Sequence, residues 1–132
     1  MAIDLARHRV GLTGDNPAVG CVIVRGGELL AAGVTAEGGR PHAEEQALAA
    51  IAEARGATAY VTLEPCGARS LGGTSCAERL AKAGVVRVVI AADDASPFAS
   101  GRGATLLEAA GIRVEKGLLA EEAADLYEDY LP

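Results

Sequence analysis

His42, Cys66 and Cys76 constrain this chain more than any other feature, because an imidazole and two thiolates sharing one metal ion must converge from three places in the sequence. Three protein ligands leave a fourth position for water or substrate, whereas a structural zinc site is usually closed by four. Glu44 stands two residues beyond the histidine, where a carboxylate can move protons for that water. Taken singly, these residues have bland roles: a helix-capping histidine, a solvated glutamate and two small buried thiols. Their joint context decides against that. Pro41-His42-Ala43-Glu44 opens an apolar-periodic helix, and Pro65-Cys66 follows a β-rich run.

The elements around these residues read as alternating α and β. A short helix is expected over residues 2–9, then a turn at Thr13-Gly-Asp-Asn-Pro17. Strands over 19–24 and 29–34 flank Arg25-Gly-Gly-Glu28, a hairpin turn that makes them antiparallel. A glycine-rich loop over 35–40 leads to a helix over 42–55, whose apolar stripe is Ala43, Ala47, Ala50, Ile51 and Ala54. On an ideal helix His42 and Glu44 lie about 200° apart. They can serve one centre only if His42 sits at the helix end, where Pro41 places it. A buried strand covers 59–63. Ser75 and Glu78 form a capping box, which puts Cys76 in the first turn of a helix to Ala83 that stops at Gly84. A helix N-terminus favours the thiolate form of that cysteine. A strand over 85–92, a polar loop over 93–103, a helix over 104–110 and a strand over 112–116 follow. The last expected element is an amphipathic helix over 119–131, with Leu119, Ala123, Leu126, Tyr127 and Tyr130 inward and a solvated acidic face. The order implies one domain, residues 1–132, of three-layer α/β/α type: a mixed sheet of about five strands with helices on both faces.

Composition narrows the possibilities further. Half the residues are hydrophobic but only 3% are aromatic, so the core must be small aliphatic side chains packed closely. A net charge of -6 opposes nonspecific attraction to phosphate backbones, and few aromatics are available for base stacking, so nucleic acid is not the expected partner. No apolar run approaches the ~20 residues of a membrane span, and residues 1–10 lack a signal-peptide core. Three cysteines do not read as a disulfide framework, and thiolate ligands fit a reducing cytoplasm. Cys21, in the apolar run Val19-Gly-Cys-Val-Ile-Val24, reads as core.

His-x-Glu followed by Pro-Cys and a second cysteine is the pattern of zinc-dependent nucleobase deaminases. Zn²⁺ held by a neutral imidazole and two thiolates remains a Lewis acid that lowers the pKa of a bound water toward ~7. Glu44 would accept the water proton, pass it to a ring nitrogen and help protonate the departing amine, converting C–NH₂ to C=O. The chain resembles the cytidine-deaminase superfamily and, more narrowly, the pyrimidine deaminase of bacterial riboflavin biosynthesis. The resemblance is carried by Asn16-Pro-Ala-Val-Gly-Cys-Val-Ile-Val24, Gly39-Arg-Pro-His-Ala-Glu44, Gly56-Ala-Thr-Ala-Tyr-Val-Thr-Leu-Glu-Pro-Cys66, Ala83-Gly-Val-Val-Arg-Val-Val89 and Gly101-Arg-Gly103. It implies zinc bound by His42, Cys66 and Cys76, catalysis by Glu44, and deamination of 2,5-diamino-6-ribosylamino-4(3H)-pyrimidinone 5′-phosphate.

Within that superfamily the common deaminases carry Cys-x-x-Cys, whereas nine residues separate Cys66 from Cys76, and a long insert is typical of the riboflavin enzyme. The insert Gly67-Ala-Arg-Ser-Leu-Gly-Gly-Thr-Ser75 lacks the family's histidine, its double proline and the basic residue before threonine. Asp94-Ala-Ser-Pro97 likewise departs from the family's Asp-Pro-Asn-Pro. Substrate contacts therefore transfer less well than the metal centre. The resemblance points to Asn16, with a turn asparagine as the plain alternative. Arg69, the only basic residue of the insert, is a candidate phosphate ligand, with a solvated loop arginine as an alternative of at least equal weight. Ser96 stands where a polar contact is expected, although a turn role is the better reading. Glu64 either orients the site or satisfies backbone donors. Two other readings stay open: a related zinc deaminase acting on another nucleobase, nucleoside or amino-heterocycle, and a non-catalytic paralogue stabilised by zinc, against which Glu44 argues. The resemblance further implies a homodimer or tetramer. The family often carries a C-terminal NADPH-dependent reductase, but the sequence stops at Pro132 and shows no glycine-rich strand-turn-helix for a dinucleotide, so no nicotinamide cofactor is expected and a reductase, where one exists, is expected on another polypeptide.

Overall fold

The structure, a computed structural model, describes residues 2–14, 17–67, 75–92 and 101–119. Its helices are α1 (Ala2–Arg7), α2 (Ala43–Ala49), α3 (Cys76–Ala83) and α4 (Arg102–Ala109). Its strands are β1 (Gly20–Arg25), β2 (Glu28–Val34), β3 (Thr58–Leu63), β4 (Arg87–Ala92) and β5 (Arg113–Lys116). The strands form one mixed sheet in the order β2-β1-β3-β4-β5. β1 is antiparallel to β2 and β3, while β3, β4 and β5 run parallel. This is the mixed five-stranded α/β sheet that the alternation of elements implies.

The period of two along the strands sends Cys21, Ile23, Ala59, Val61, Val88 and Ile90 into one core with Ala43, Ala47, Ala77, Leu80 and Leu107 of α2, α3 and α4. α1 lies on the other side, where Ala2 and Ile3 share an apolar pocket with Val22, Tyr60, Thr62 and Val89. With few aromatics the layers must approach closely, and Gly33 shows how. A Cβ there would fall 2.7 Å from the Ala47 amide nitrogen and closer still to the Ala43 carbonyl oxygen. Only glycine lets α2 sit this low on β2. Cys21 is fully buried, as expected of a core thiol. Burial, with the charge of Glu44 nearby, pushes that thiol well up and keeps it neutral.

Three expectations need correction. The helix expected over 42–55 ends at Ala49, because Ala54 is pulled into the core, where its amide donates to the Ala83 carbonyl at the end of α3 (2.9 Å). Burial and that bond outweigh the helix propensity of the segment. The helix expected from Ala104 starts at Arg102, two residues into what reads as loop. The strand expected from Val85 begins at Arg87, where its pairing with Thr58 of β3 starts; the Val86 amide just before it donates to the Ala57 carbonyl (2.9 Å). The helix expected over 119–131 falls, beyond Leu119, outside the described residues. No helix among the described residues is long and apolar enough to cross a membrane.

Candidate metal centre

His42 is not a helical residue. It is the N-cap of α2, with an extended backbone (φ -71°, ψ 162°), and its amide donates to the Glu45 carboxylate (3.3 Å). Leaving the helical spiral at this point frees its ring from the 100° per residue that would otherwise turn it away from Glu44. The preceding segment is tied down by Gln46, whose side-chain amide donates to the carbonyls of Val34 and Pro41.

Cys76 is the first residue of α3, and Cys66 lies in the turn after β3. The amide of Cys76 donates to the Cys66 sulfur (3.2 Å), and the amide of Ala77 donates to the Cys66 carbonyl (3.1 Å). The Glu78 amide donates to the Ser75 hydroxyl (3.2 Å), the capping contact that Ser75 and Glu78 imply. Three of the four N–H groups that a helix start leaves unpaired are thus satisfied by residues 66 and 75. The start of α3 thus reaches both cysteines.

The ligand atoms of His42, Cys66 and Cys76 lie within 4.8 Å of one another, with His42 Nδ1 3.4 Å from Cys76 Sγ. Tetrahedral zinc, with Zn–S near 2.3 Å and Zn–N near 2.05 Å, separates a nitrogen from a sulfur ligand by about 3.6 Å. The spacing therefore fits. So does the protonation chemistry. The Cys76 thiol donates to the Cys66 sulfur, and that bond, helped by His42, holds the Cys66 thiol down to about 4 against the opposing effect of burial. Cys76 keeps the proton, its own pKa driven far up by that same bond and by burial. A divalent cation at the same place replaces the shared proton and holds both sulfurs as thiolates.

Glu44, in the first turn of α2, is buried. Desolvation pushes its carboxyl up to about 7, partly offset by its own backbone amide and by His42. A group with that value can both take and return a proton near neutral pH. Asn16, Arg69 and Ser96 lie outside the described residues.

Sequence reasoning did not identify the partners of Glu64. Glu64, buried at the end of β3, accepts from the amides of Gly101 (3.0 Å) and Ala104 (3.1 Å) at the start of α4. Satisfaction of backbone donors, one of its two expected roles, is observed directly. Among sequence signals, only the paired glycines of Gly101-Arg-Gly103 hinted that backbone approaches closely there.

The family model for the cytidine and deoxycytidylate deaminase zinc-binding region matches residues 1–92. Riboflavin biosynthesis protein RibD of Aquifex aeolicus is 44% identical over 132 residues, covering 98% of this chain and 36% of that protein. The chain therefore spans about a third of the length of such curated relatives. Among solved structures, RibD of Acinetobacter baumannii superposes with a TM-score of 0.91 at 46% identity, covering 98% of this chain and 37% of the other. A diaminohydroxyphosphoribosylaminopyrimidine deaminase/5-amino-6-(5-phosphoribosylamino)uracil reductase of Thermotoga maritima superposes with a TM-score of 0.87 at 37% identity, covering 95% and 36%.

Proposed function

This chain belongs to the zinc-binding cytidine and deoxycytidylate deaminase family, and from that premise we propose that it deaminates a small phosphorylated aminopyrimidine, 2,5-diamino-6-ribosylamino-4(3H)-pyrimidinone 5′-phosphate. The observation that carries the reading is the convergence of His42, Cys66 and Cys76, with a buried Glu44 starting the same helix that His42 caps. The substrate rests on the similarity to the riboflavin-pathway proteins across nearly the whole chain. In those relatives about two thirds of the length lies beyond the part that this chain matches, so the proposal concerns the deaminase step alone.

His42, Cys66 and Cys76 would hold Zn²⁺, which when bound supplies a Lewis acid and acidifies water. Glu44 carries the protons. As a carboxylate it accepts one from the attacking water and delivers it to the ring nitrogen; it then takes the remaining proton from the hydroxyl newly bonded to the ring carbon and gives it to the departing amine, so one group serves as base and then as acid. Ammonia leaves, and the ring carbon keeps the water oxygen as a carbonyl. Burial of Glu44 serves this role by bringing its two protonation states close in energy. In this reading the chain works in the cytoplasm as a homodimer or tetramer.

The departures in Gly67–Ser75 favour one alternative, a deaminase of another amino-heterocycle. An ammonia-release assay decides between them. The riboflavin intermediate, its dephosphorylated form, cytosine, guanine and their nucleosides are compared with wild-type protein and Glu44→Gln. Release from the intermediate alone, lost in the variant while zinc is retained, is the expected result. Faster release from a nucleobase or nucleoside would replace the substrate assignment. Release surviving in Glu44→Gln at more than about a tenth of the wild-type rate would remove Glu44 from its role.

A further inference from the structure

We propose that Glu64 is a positioning residue for the metal centre: by holding the start of α4 against the Glu64–Gly67 turn, it sets where Cys66 presents its sulfur. The inference rests on the zinc reading above and adds to it a residue that touches neither metal nor substrate.

Glu64 and Cys66 are two residues apart on the chain segment leaving β3, and Pro65 between them is fully buried. One Glu64 oxygen accepts from the Gly101 amide and the other from the Ala104 amide, 37 and 40 residues away. Both oxygens are thus committed to the backbone of a single helix start. The two backbones also interlock. A Cβ on Gly67 would lie 2.7 Å from the Arg102 Cβ and 2.9 Å from the Gly103 nitrogen. A Cβ on Gly103 would lie 2.9 Å from the Pro65 carbonyl carbon and nearer still to its oxygen. Glycine on both sides allows an approach that the Glu64 hydrogen bonds then lock. Cys66 sits between the two halves of this clamp, Glu64-Pro65 before it and Gly67 after it. On its other side the Cys76 and Ala77 amides of α3 donate to its sulfur and its carbonyl. The cysteine is therefore held between α3 and α4, and the α4 side depends on one carboxylate.

Glu64→Gln tests this. An amide side chain has one accepting oxygen, so it can serve Gly101 or Ala104 but not both, and its NH₂ group faces the other backbone N–H. Gly103→Ala attacks the same clamp by bulk. The readout is zinc affinity by chelator competition, together with the thiolate-to-cobalt charge-transfer band of the Co²⁺-loaded protein, which reports ligand geometry. Both variants should bind zinc about ten- to a hundredfold more weakly, the range typical when a residue orienting a metal ligand is lost, and should shift the cobalt band. Val88→Ala, a core truncation in β4, should lower Tm yet leave zinc affinity and the cobalt band at wild-type values; this separates positioning from stability. If Glu64→Gln does not fold, Gly103→Ala decides by the same measurement. Zinc affinity within twofold of wild type and an unshifted band in the folded variants would overturn the proposal while leaving the zinc site standing. Wild-type protein that takes up no zinc would overturn the site itself.

Discussion

Gly33→Ala should cost both stability and rate. The residue needs no unusual backbone angle, so the whole effect is the added methyl group. That Cβ would lie 2.7 Å from the Ala47 nitrogen, and ordinary contact begins at 3.4 Å, so α2 must rise off β2 by at least 3.4 − 2.7 = 0.7 Å. The Ala43 oxygen, closer still, requires more. Neither neighbour is a side-chain end that can swing aside. Overpacking of this kind costs about 1–3 kcal/mol, which for a domain of this size lowers Tm by roughly 3–15 °C. The same helix carries Glu44 in its first turn and His42 at its cap. A displacement near 1 Å at reacting groups is worth on the order of 10²-fold in rate. Calorimetry of the zinc-loaded variant and a steady-state ammonia assay measure the two effects separately. A Tm within 1 °C of wild type would mean that the sheet yields freely and the steric argument is wrong. A lowered Tm with an unchanged kcat would mean that α2 and the site move as one body, which refutes the link from packing to chemistry.

Other expectations can be checked alongside. Elemental analysis of protein never exposed to chelator should find about one Zn²⁺ per chain; Cys66→Ser and Cys76→Ser should each lose most of it, and adding zinc at a hundredfold excess over Kd should raise apparent stability by about 2.7 kcal/mol in wild type alone. Ser75→Ala removes the acceptor for the Glu78 amide (3.2 Å) and should cost about 0.5–2 kcal/mol in denaturant titrations. Its Cys76 neighbour makes weakened zinc binding a second readout. Arg87 grips Glu115 through two hydrogen bonds (3.0 and 2.7 Å), which holds the Glu115 carboxyl below the usual range. Its stabilisation is therefore present above the unfolded value of about 4.3 and lost as pH falls through the lower folded value. Glu115→Gln should flatten the acid limb of the stability curve below that pH, and an unaltered limb would show the pair to be inert.

Some of the molecule follows from residues that are close in sequence. The Ser75–Glu78 box and the stop at Gly84, which adopts the left-handed conformation (φ 92°), depend on neighbours within a turn of helix. The hairpin at Gly26-Gly27 and the apolar strands are equally local, so the mixed five-stranded sheet was legible in their order. The residues later found together, His42, Cys66 and Cys76, could be singled out because few chemistries use an imidazole and two thiols beside a carboxylate. Periodicity could not show where α2 ends. Ala50, Ile51 and Ala54 continue the helical stripe, and only the Ala83 carbonyl, from a helix not yet formed in the chain order, draws Ala54 away. Nor could it show that Gly33 is the floor under α2, or that Glu64 serves amides 37 and 40 residues distant. A repeating pattern records which face of an element is apolar. Which backbone comes to lie against that face, and at what distance, is decided when the layers pack, and the placing of Cys66 belongs to that second kind of information.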